Sequence, residues 1–285
     1  MAEEWVTLDQ VSAAADFIRE RTSHRPHVGL ILGSGLGPLA DQVQEADSIP
    51  FDQIPHFPVS TVAGHSGRLV IGRLEGQSVL VMQGRSHYYE GYSMSQVTLP
   101  VRVMQALGVE ILFVTNAAGG LNSDWQAGDL MLISDHINLI GMAGMNPLRG
   151  PNMDAFGPRF PDMSVPYDPE LCRLAREAAE RAGVELREGV YTGLGGPNFE
   201  TPAELRFLRT IGTDAVGMST VAEVTVARHG GMRVVGFSGI SNIVVYDPLK
   251  AKAASHEEVL EAGQRIGPKL MFVIKGTLQA LSATS

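Results

Sequence analysis

Cysteine is almost missing: Cys172 is the one such residue among 285. No internal disulfide framework and no cysteine-rich metal site can be assembled from it, and such usage suits a reducing compartment. Long apolar runs are missing as well, since none reaches the ~18 residues that a membrane span needs. The opening stretch MAEEWVTLDQ is acidic and lacks the basic start and apolar centre of a signal peptide, so a soluble, cytoplasmic protein is expected. Positive charge is not in excess either. A formal net charge of −9 argues against nucleic acid or an anionic membrane as the main partner. A small anionic substrate is compatible with it, because one local basic site is enough. What the chain does have is 44% hydrophobic and 19% charged residues, the make-up of a well-packed globular protein with a sizeable core.

Strands and helices take turns along the chain. Thr7 and Gln10 form a capping box ahead of apolar residues at helical spacing, Leu8, Val11, Ala14, Ala15 and Ile18. Val28–Leu32 is a short continuous apolar run, as in a buried strand. RLVIGRLEGQSVLVMQG reads as a hairpin around Glu75-Gly76. A helix from about Val97 stops at Gly108, ILFVTN resumes a strand, and DLMLISDHINL supplies another. A long Pro- and Gly-rich stretch follows, GMAGMNPLRGPNMDAFGPRFPDMSVPYD, either a linker between domains or a functional loop. Beyond it come a helix from Asp168-Pro169, a strand near Val190 and a helix capped by Thr201 with Glu204. A helix opening at Thr220 with Glu223, the strand MRVVGF, and a last helix opening at Ser255 with Glu258 complete the chain. Gly267-Pro268 should kink or divide that last helix. Such alternation predicts a mainly parallel, twisted sheet with helices on both faces and ligands beyond the carboxyl ends of its strands.

Functional loops should therefore follow strands. GLILGSGLG is the first of them. Gly33 and Gly35 fit a dinucleotide fingerprint, but Pro38 stands where its third glycine belongs, and no G-K-[ST] makes it a P-loop. What remains is a loop whose backbone N–H groups and Ser34 hydroxyl can face an anion, or a tight turn with no ligand. QGRSHYYEGY sets Arg85, His87, Tyr88 and Tyr89 together, and arginine offers a planar fork for phosphate oxygens. VTNAAGGLN lets a ligand touch the backbone, and in VGMSTVAE Ser219 and Thr220 precede a helix.

GSGLG, GHSGRLVIG, QGRSHYYEGY, VTNAAGGLN, NPLRGPN, GPNFETPAE, DAVGMSTVAEVTVARH and SGISN follow one another as in the trimeric purine nucleoside phosphorylases, which the chain resembles from about Val28 to its C-terminal helix. The resemblance implies one α/β domain over residues 1–285, a central mixed sheet flanked by helices, a homotrimer, and no metal or organic cofactor. Orthophosphate would be a co-substrate that attacks C1′ of a purine nucleoside and releases the free base and (deoxy)ribose 1-phosphate. By motif, Ser34, His65, Arg85, His87, Ser219 and the Ala117 backbone N–H would hold phosphate. Tyr89 and Met218 would contact ribose, and His256 its 5′-hydroxyl. Val216 and Gly217 would bind the nucleoside and Phe199 would pack on its base, while Glu200 and Asn242 would read the base. Asn242, Glu200, His87 and His256 would then carry the catalytic roles. Phe160, in the long irregular stretch, would reach a neighbouring subunit's ribose pocket.

A carboxylate at Glu200 accepts from N1–H of hypoxanthine or guanine, whereas adenine offers a lone pair there, so the pair favours 6-oxopurines. The related methylthioadenosine phosphorylases carry aspartate for this asparagine and an apolar 5′ pocket for this histidine. Ile243 stands where mammalian members carry lysine, which implies altered polarity around the base. Each assignment has a plainer rival: His256 as an exposed first-turn residue, Glu200 as a helix-end charge, Phe160, Phe199 and Met218 as core, and His65 as a turn residue. His136 and His229 are expected to be structural. The rival functions are phosphorolysis of methylthioadenosine or adenosine, which Asn242 speaks against, hydrolysis with water as nucleophile, and a silent nucleoside- or dinucleotide-binding module.

Overall fold

A computed structural model describes residues 5–62, 66–247 and 256–284. Its elements run α1 (Leu8–Arg19), β1 (Val28–Leu32), β2 (Gln44–Pro50), β3 (Arg68–Leu74), β4 (Gln77–Gln83), α2 (Met94–Val97), α3 (Leu99–Ala106), β5 (Ile111–Gly120), β6 (Leu130–Asn138) and α4 (Leu139–Met142). They continue with α5 (Pro169–Arg181), β7 (Leu186–Gly193), α6 (Pro202–Thr210), β8 (Ala215–Gly217), α7 (Val221–His229), β9 (Arg233–Ile243) and α8 (His256–Thr284).

Local chemistry accounts for most of these boundaries. Thr7 and Gln10 close the box that starts α1, and Asp168 and Thr201 cap α5 and α6 through their side chains. Glu75 (φ 49°) and Gly76 (φ 82°) both take left-handed conformations, which matches a two-residue hairpin to the twist of β3 and β4. The helix expected from Val97 is α3, which starts at Leu99, and the separate short helix α2 precedes it because Ser93 and Gln96 make another capping box.

The strands order as β2-β3-β4-β1-β5-β8-β7-β6-β9, and β5 also pairs with β9. The expected mixed sheet is there, but it closes on itself. The first half of β5 lies between β1 and β9, both parallel to it. Its second half, Gly119 and Gly120, exchanges β1 for the antiparallel β8, and β7, β6 and β9 complete a small ring. Two helix groups, α1–α3–α7 and α5–α8, pack on this sheet. No helix among the described residues is long and apolar enough to cross a membrane.

One expectation fails on tertiary grounds, and one open alternative closes. Pro268 does not divide α8, which runs through it from His256 to Thr284. Ala262 and Ile266 before the proline and Leu270, Val273 and Ile274 after it are all buried, so core packing on both sides holds the helix across the lost backbone bond. The long stretch after α4 is no linker. His229 accepts from Arg102 Nη1 through Nδ1 at 2.7 Å and donates from Nε2 to Asn152 at 3.1 Å, and Gln105 reaches the Phe156 carbonyl. His136 is structural too, its Nδ1 lying 3.1 Å from the Tyr167 hydroxyl.

Burial and the neighbouring Arg102 push the His229 pKa down to about 4. A histidine whose folded pKa lies below its unfolded value stays neutral in the native state while the unfolded chain takes up a proton. Stability is therefore expected to fall as pH drops from 6.5 towards 4, by up to ~3 kcal/mol from His229. His136, lowered by burial, acts in the same sense. A Tm measured across this range should decline, and His229→Gln should flatten much of the decline. A Tm unchanged between pH 6.5 and 4.5 would contradict the buried neutral histidine.

Candidate active site

The parallel strands β1, β4 and β5 bring three of the four Gly- or Arg-bearing loops to one edge of the sheet. The Gly33 N–H donates to Thr115 Oγ1 at 3.0 Å, and that hydroxyl donates to the Ile31 carbonyl at 3.0 Å. A Cβ on Gly33 would lie 2.8 Å from the Asn116 Cα, so only glycine permits this contact with β5. Gly35, at φ 76°, presses against Gly263 of α8, where an added Cβ would come within 2.8 Å of that Cα. These two glycines thus serve strand and helix packing, and they leave Ser34 half-buried between them.

Arg85, just past β4, is 3% exposed. Its Nη1 donates to the Thr115 carbonyl at 2.8 Å and to Ser219 Oγ at 3.2 Å. Its Nε lies 2.9 Å from Glu223 Oε1, in an ion pair rather than an aligned hydrogen bond. Glu223 therefore does not complete the capping box expected with Thr220. Thr220 has φ 74° and ψ −54° and makes no side-chain cap, while the Val221 N–H bonds the Ser219 carbonyl at 2.8 Å. This is a γ-turn of the rare positive-φ kind, strained for a β-branched residue. Asn116 Nδ2 holds it by donating to Thr220 Oγ1 at 2.9 Å. The turn matters because β8 runs antiparallel to β5. It starts beside Gly120, so its exit brings Ser219 back alongside Thr115 and Asn116.

His87 is oriented by Glu90. The carboxylate accepts from the His87 backbone N–H at 2.7 Å and lies 3.0 Å from its Nδ1, and Thr61 Oγ1 donates at 2.9 Å. Burial opposes ionisation of Glu90, but the hydrogen bonds from His87 and Thr61 prevail and bring its pKa down to about 2. A carboxylate on Nδ1 fixes the proton there and leaves Nε2 as the working nitrogen. The His87 ring stacks on Tyr89 with centroids 4.8 Å apart, and burial raises the Tyr89 hydroxyl to about 12. A Cβ on Gly196 would meet both Met218 Sδ and the Tyr89 ring, so Tyr89 and Met218 flank the loop that leads to Phe199 and Glu200.

A second polar group lies at the far end of β5. Register between β5 and β9 shifts between Ala118 and Gly119, leaving Ser241 as an extra residue before Asn242 pairs with Gly119. Such a bulge re-aims the side chain that follows. Ser241 Oγ lies 2.9 Å from Asn242 Oδ1 and 3.2 Å from the Ala118 carbonyl. With its one proton on the nearer acceptor, it holds Oδ1 and leaves Nδ2 over Gly119, 3.7 Å from the space that a Cβ there would fill. Val216 borders that space, and Leu208 of α6 packs on Val216 and Leu121. Gly217 has to be glycine, since a Cβ would lie 2.6 Å from the Tyr191 hydroxyl. Glu200, just ahead of α6, is half-buried, and burial raises its pKa.

The model of the phosphorylase superfamily matches residues 27–278. Purine nucleoside phosphorylase 1 of Bacillus subtilis is 54% identical over 270 residues, 94% of this chain and 97% of that protein. Purine nucleoside phosphorylase of Bos taurus is 54% identical over 266 residues, 93% of this chain and 92% of that protein. The Schistosoma mansoni purine nucleoside phosphorylase solved in complex with adenosine superposes with a TM-score of 0.93 at 46% identity, covering 96% of this chain and 98% of that one. This chain belongs to the purine nucleoside phosphorylases. Its α/β fold is that of the family.

In this phosphorylase, Arg85, His87 and Ser219 line one small cavity, whereas Asn242 and Val216 meet at Gly119 and Gly217 lies against the Ala117 carbonyl. Phe199 (49% exposed) and Phe160 (87% exposed) are not core residues. Met218 is half-buried, and Ile243 covers Gly120. His65 and Ser255 lie outside the described residues, as does the side chain of His256, whose backbone opens α8. Sequence reasoning missed Glu223, Glu90, Asn116 and Ser241 as neighbours of the site. For Glu90 a signal was available, three residues after His87 in HYYE.

Proposed function

We propose that this phosphorylase cleaves 6-oxopurine ribonucleosides and 2′-deoxyribonucleosides, inosine and guanosine foremost, with orthophosphate as nucleophile. The observation that supports this most is the meeting of Arg85, Ser219 and an Nδ1-anchored His87 on the strand that also faces the Asn242 amide. Ser34, His65 and the Ala117 N–H complete the proposed phosphate site. A bound phosphate oxygen attacks C1′ as the C1′–N9 bond breaks, through an oxocarbenium-like transition state, and the bonding pair passes to the purine. Asn242 Nδ2 donates to N7 as negative charge grows there, and Glu200 accepts from N1–H. Phe199 packs on the base with Val216 and Gly217, Tyr89 and Met218 contact the ribose, and His256 binds the 5′-hydroxyl. The nucleophile arrives already charged, so positioning and electrostatics carry the rate, and the reaction as proposed uses no metal or organic cofactor. A reducing cytoplasm suits the lone, buried Cys172.

The test is the initial rate of base release from inosine and from adenosine, each with and without phosphate. Fast cleavage of inosine that requires phosphate is expected, with little from adenosine. Phosphate-independent cleavage would make the enzyme a hydrolase. Adenosine is the informative competitor, since the Schistosoma mansoni relative was crystallised with adenosine and with inosine. Its preference here would overturn the account of Glu200 and Asn242.

Assembly as a homotrimer is part of the proposal. Phe160 stands 87% exposed with Arg159 as its aromatic-stacking neighbour, and an open groove of about 780 Å³ beside Tyr89, Met94 and Met145 offers a seat for a second copy's side chain. Phe160→Ala should raise KM for inosine about tenfold, the effect of losing ~1.4 kcal/mol of contact, with Tm unchanged. A monomeric preparation with full activity would contradict the shared site.

A further inference from the structure

We propose that Glu223 is the standing counter-ion of the anion site and sets its affinity for orthophosphate, an inference that rests on phosphate binding at Arg85. Three observations point there. The Arg85 and Glu223 side chains are 3% and 4% exposed, with Nε and Oε1 2.9 Å apart. The small enclosed cavity beside them is lined mainly by apolar groups, among them Met94, Val97, Ile140 and Leu194, so little water screens the pair. And Glu223 forgoes a role at the helix start: the γ-turn at Thr220 replaces the cap, and Glu223 Oε2 has no hydrogen-bond partner among the described residues.

A guanidinium this deeply buried needs an opposite charge at all times. Glu223 supplies it when the site is empty. The two sides of the guanidinium then divide the work: Nε faces Glu223, while Nη1 faces the Thr115 carbonyl and Ser219, one of the proposed phosphate ligands. Phosphate therefore enters a site whose resident cation is already half-committed, and its binding is weaker than a lone buried arginine would allow. That moderation suits an enzyme that must also release a phosphorylated sugar. The γ-turn is what makes the arrangement possible, since it turns the first helical turn of α7 so that Ser219 and Glu223 reach the same guanidinium.

The test is Glu223→Gln, which keeps the shape and an acceptor oxygen but removes the charge. Removing one unit charge a few ångströms from an anion at an effective dielectric near 20 is worth at least about a factor of ten. Affinity for inorganic phosphate, read as its KM with inosine saturating and as the phosphate concentration that gives half-maximal rise in Tm, should tighten about tenfold. The phosphate-free Tm should fall and be restored by phosphate. Glu223→Asp, which withdraws the charge by one methylene, should tighten phosphate two- to threefold, and it decides the matter alone where the glutamine variant does not fold. Unchanged or weaker phosphate affinity in the folded variants would overturn the counter-ion role and leave Glu223 a structural brace. A wild-type enzyme with no phosphate-dependent turnover and no phosphate-induced Tm shift would overturn the phosphate site itself, which is a different failure.

Discussion

Glu200→Ala is expected to lower kcat/KM about tenfold to a hundredfold for inosine, and further for guanosine, while leaving adenosine much less affected. A hydrogen bond to a charged group is worth roughly 1.5–3 kcal/mol, and guanine offers two donors, N1–H and the 2-amino group, to one carboxylate. The effect should appear in both kcat and KM, because the contact is present in the bound nucleoside and strengthens as the base departs. Burial gives the same residue a pH signature. It raises the Glu200 pKa, so acidification protonates the group earlier than an ordinary glutamate. Protonated Glu200 no longer accepts from N1–H of hypoxanthine, but it can donate to N1 of adenine. The ratio of adenosine to inosine turnover is therefore expected to rise as pH falls. Rates with both substrates across the acid limb decide this. A ratio constant with pH, together with equal losses on both substrates in Glu200→Ala, would remove Glu200 from base recognition.

How much of this could be read from the chain differs between fold and site. Strand identities and caps were legible because they depend on a few adjacent residues: Thr7 with Gln10, Thr201 with Glu204, and Glu75-Gly76 in a hairpin. Closure of the sheet into a ring was not. It depends on β5 changing partners at Gly119-Gly120, and two glycines carry no periodicity that announces β8. Pro268 misled for a related reason, since local propensity says "break" and the apolar residues on either side of it outweigh that preference.

The S-T-V-A-E stretch shows the limit most clearly. Thr220 and Glu223 fit a capping box, and the same residues fit a γ-turn with a buried counter-ion. The choice between them is made by Arg85, more than a hundred residues earlier. A cap is worth about 1 kcal/mol, whereas leaving a buried charge unpaired costs about 3–5 kcal/mol. The long-range pair wins, and a reading confined to local spacing sees only the loser. Glu90 and Ser241 escaped for the converse reason: neither was expected at the site, and each acts by holding a neighbour, His87 or Asn242, in one orientation.

Asn242→Asp is expected to invert base preference, with kcat/KM for inosine falling at least a hundredfold and that for adenosine rising about tenfold. Ser241 donates to Oδ1, so the pocket sees the Nδ2 amide. That group suits O6 and N7 of a 6-oxopurine, both acceptors, and opposes the 6-amino group of adenine, a donor. Aspartate retains the oxygen that Ser241 bonds and replaces the outward amide by a second oxygen. O6 then faces like polarity, at a cost typical of a buried polar group left unpaired, whereas the adenine amino group gains a charge-assisted bond. The bulge at Ser241 makes the exchange conservative for the backbone, because the anchoring contact survives. Competition between inosine and adenosine in one reaction, with both products followed, gives the ratio directly. Equal losses for the two substrates would mean that Asn242 assists the leaving group without reading position 6. Ser241→Ala separates these cases: with the amide free to rotate, discrimination between the two bases should shrink while phosphate KM stays unchanged.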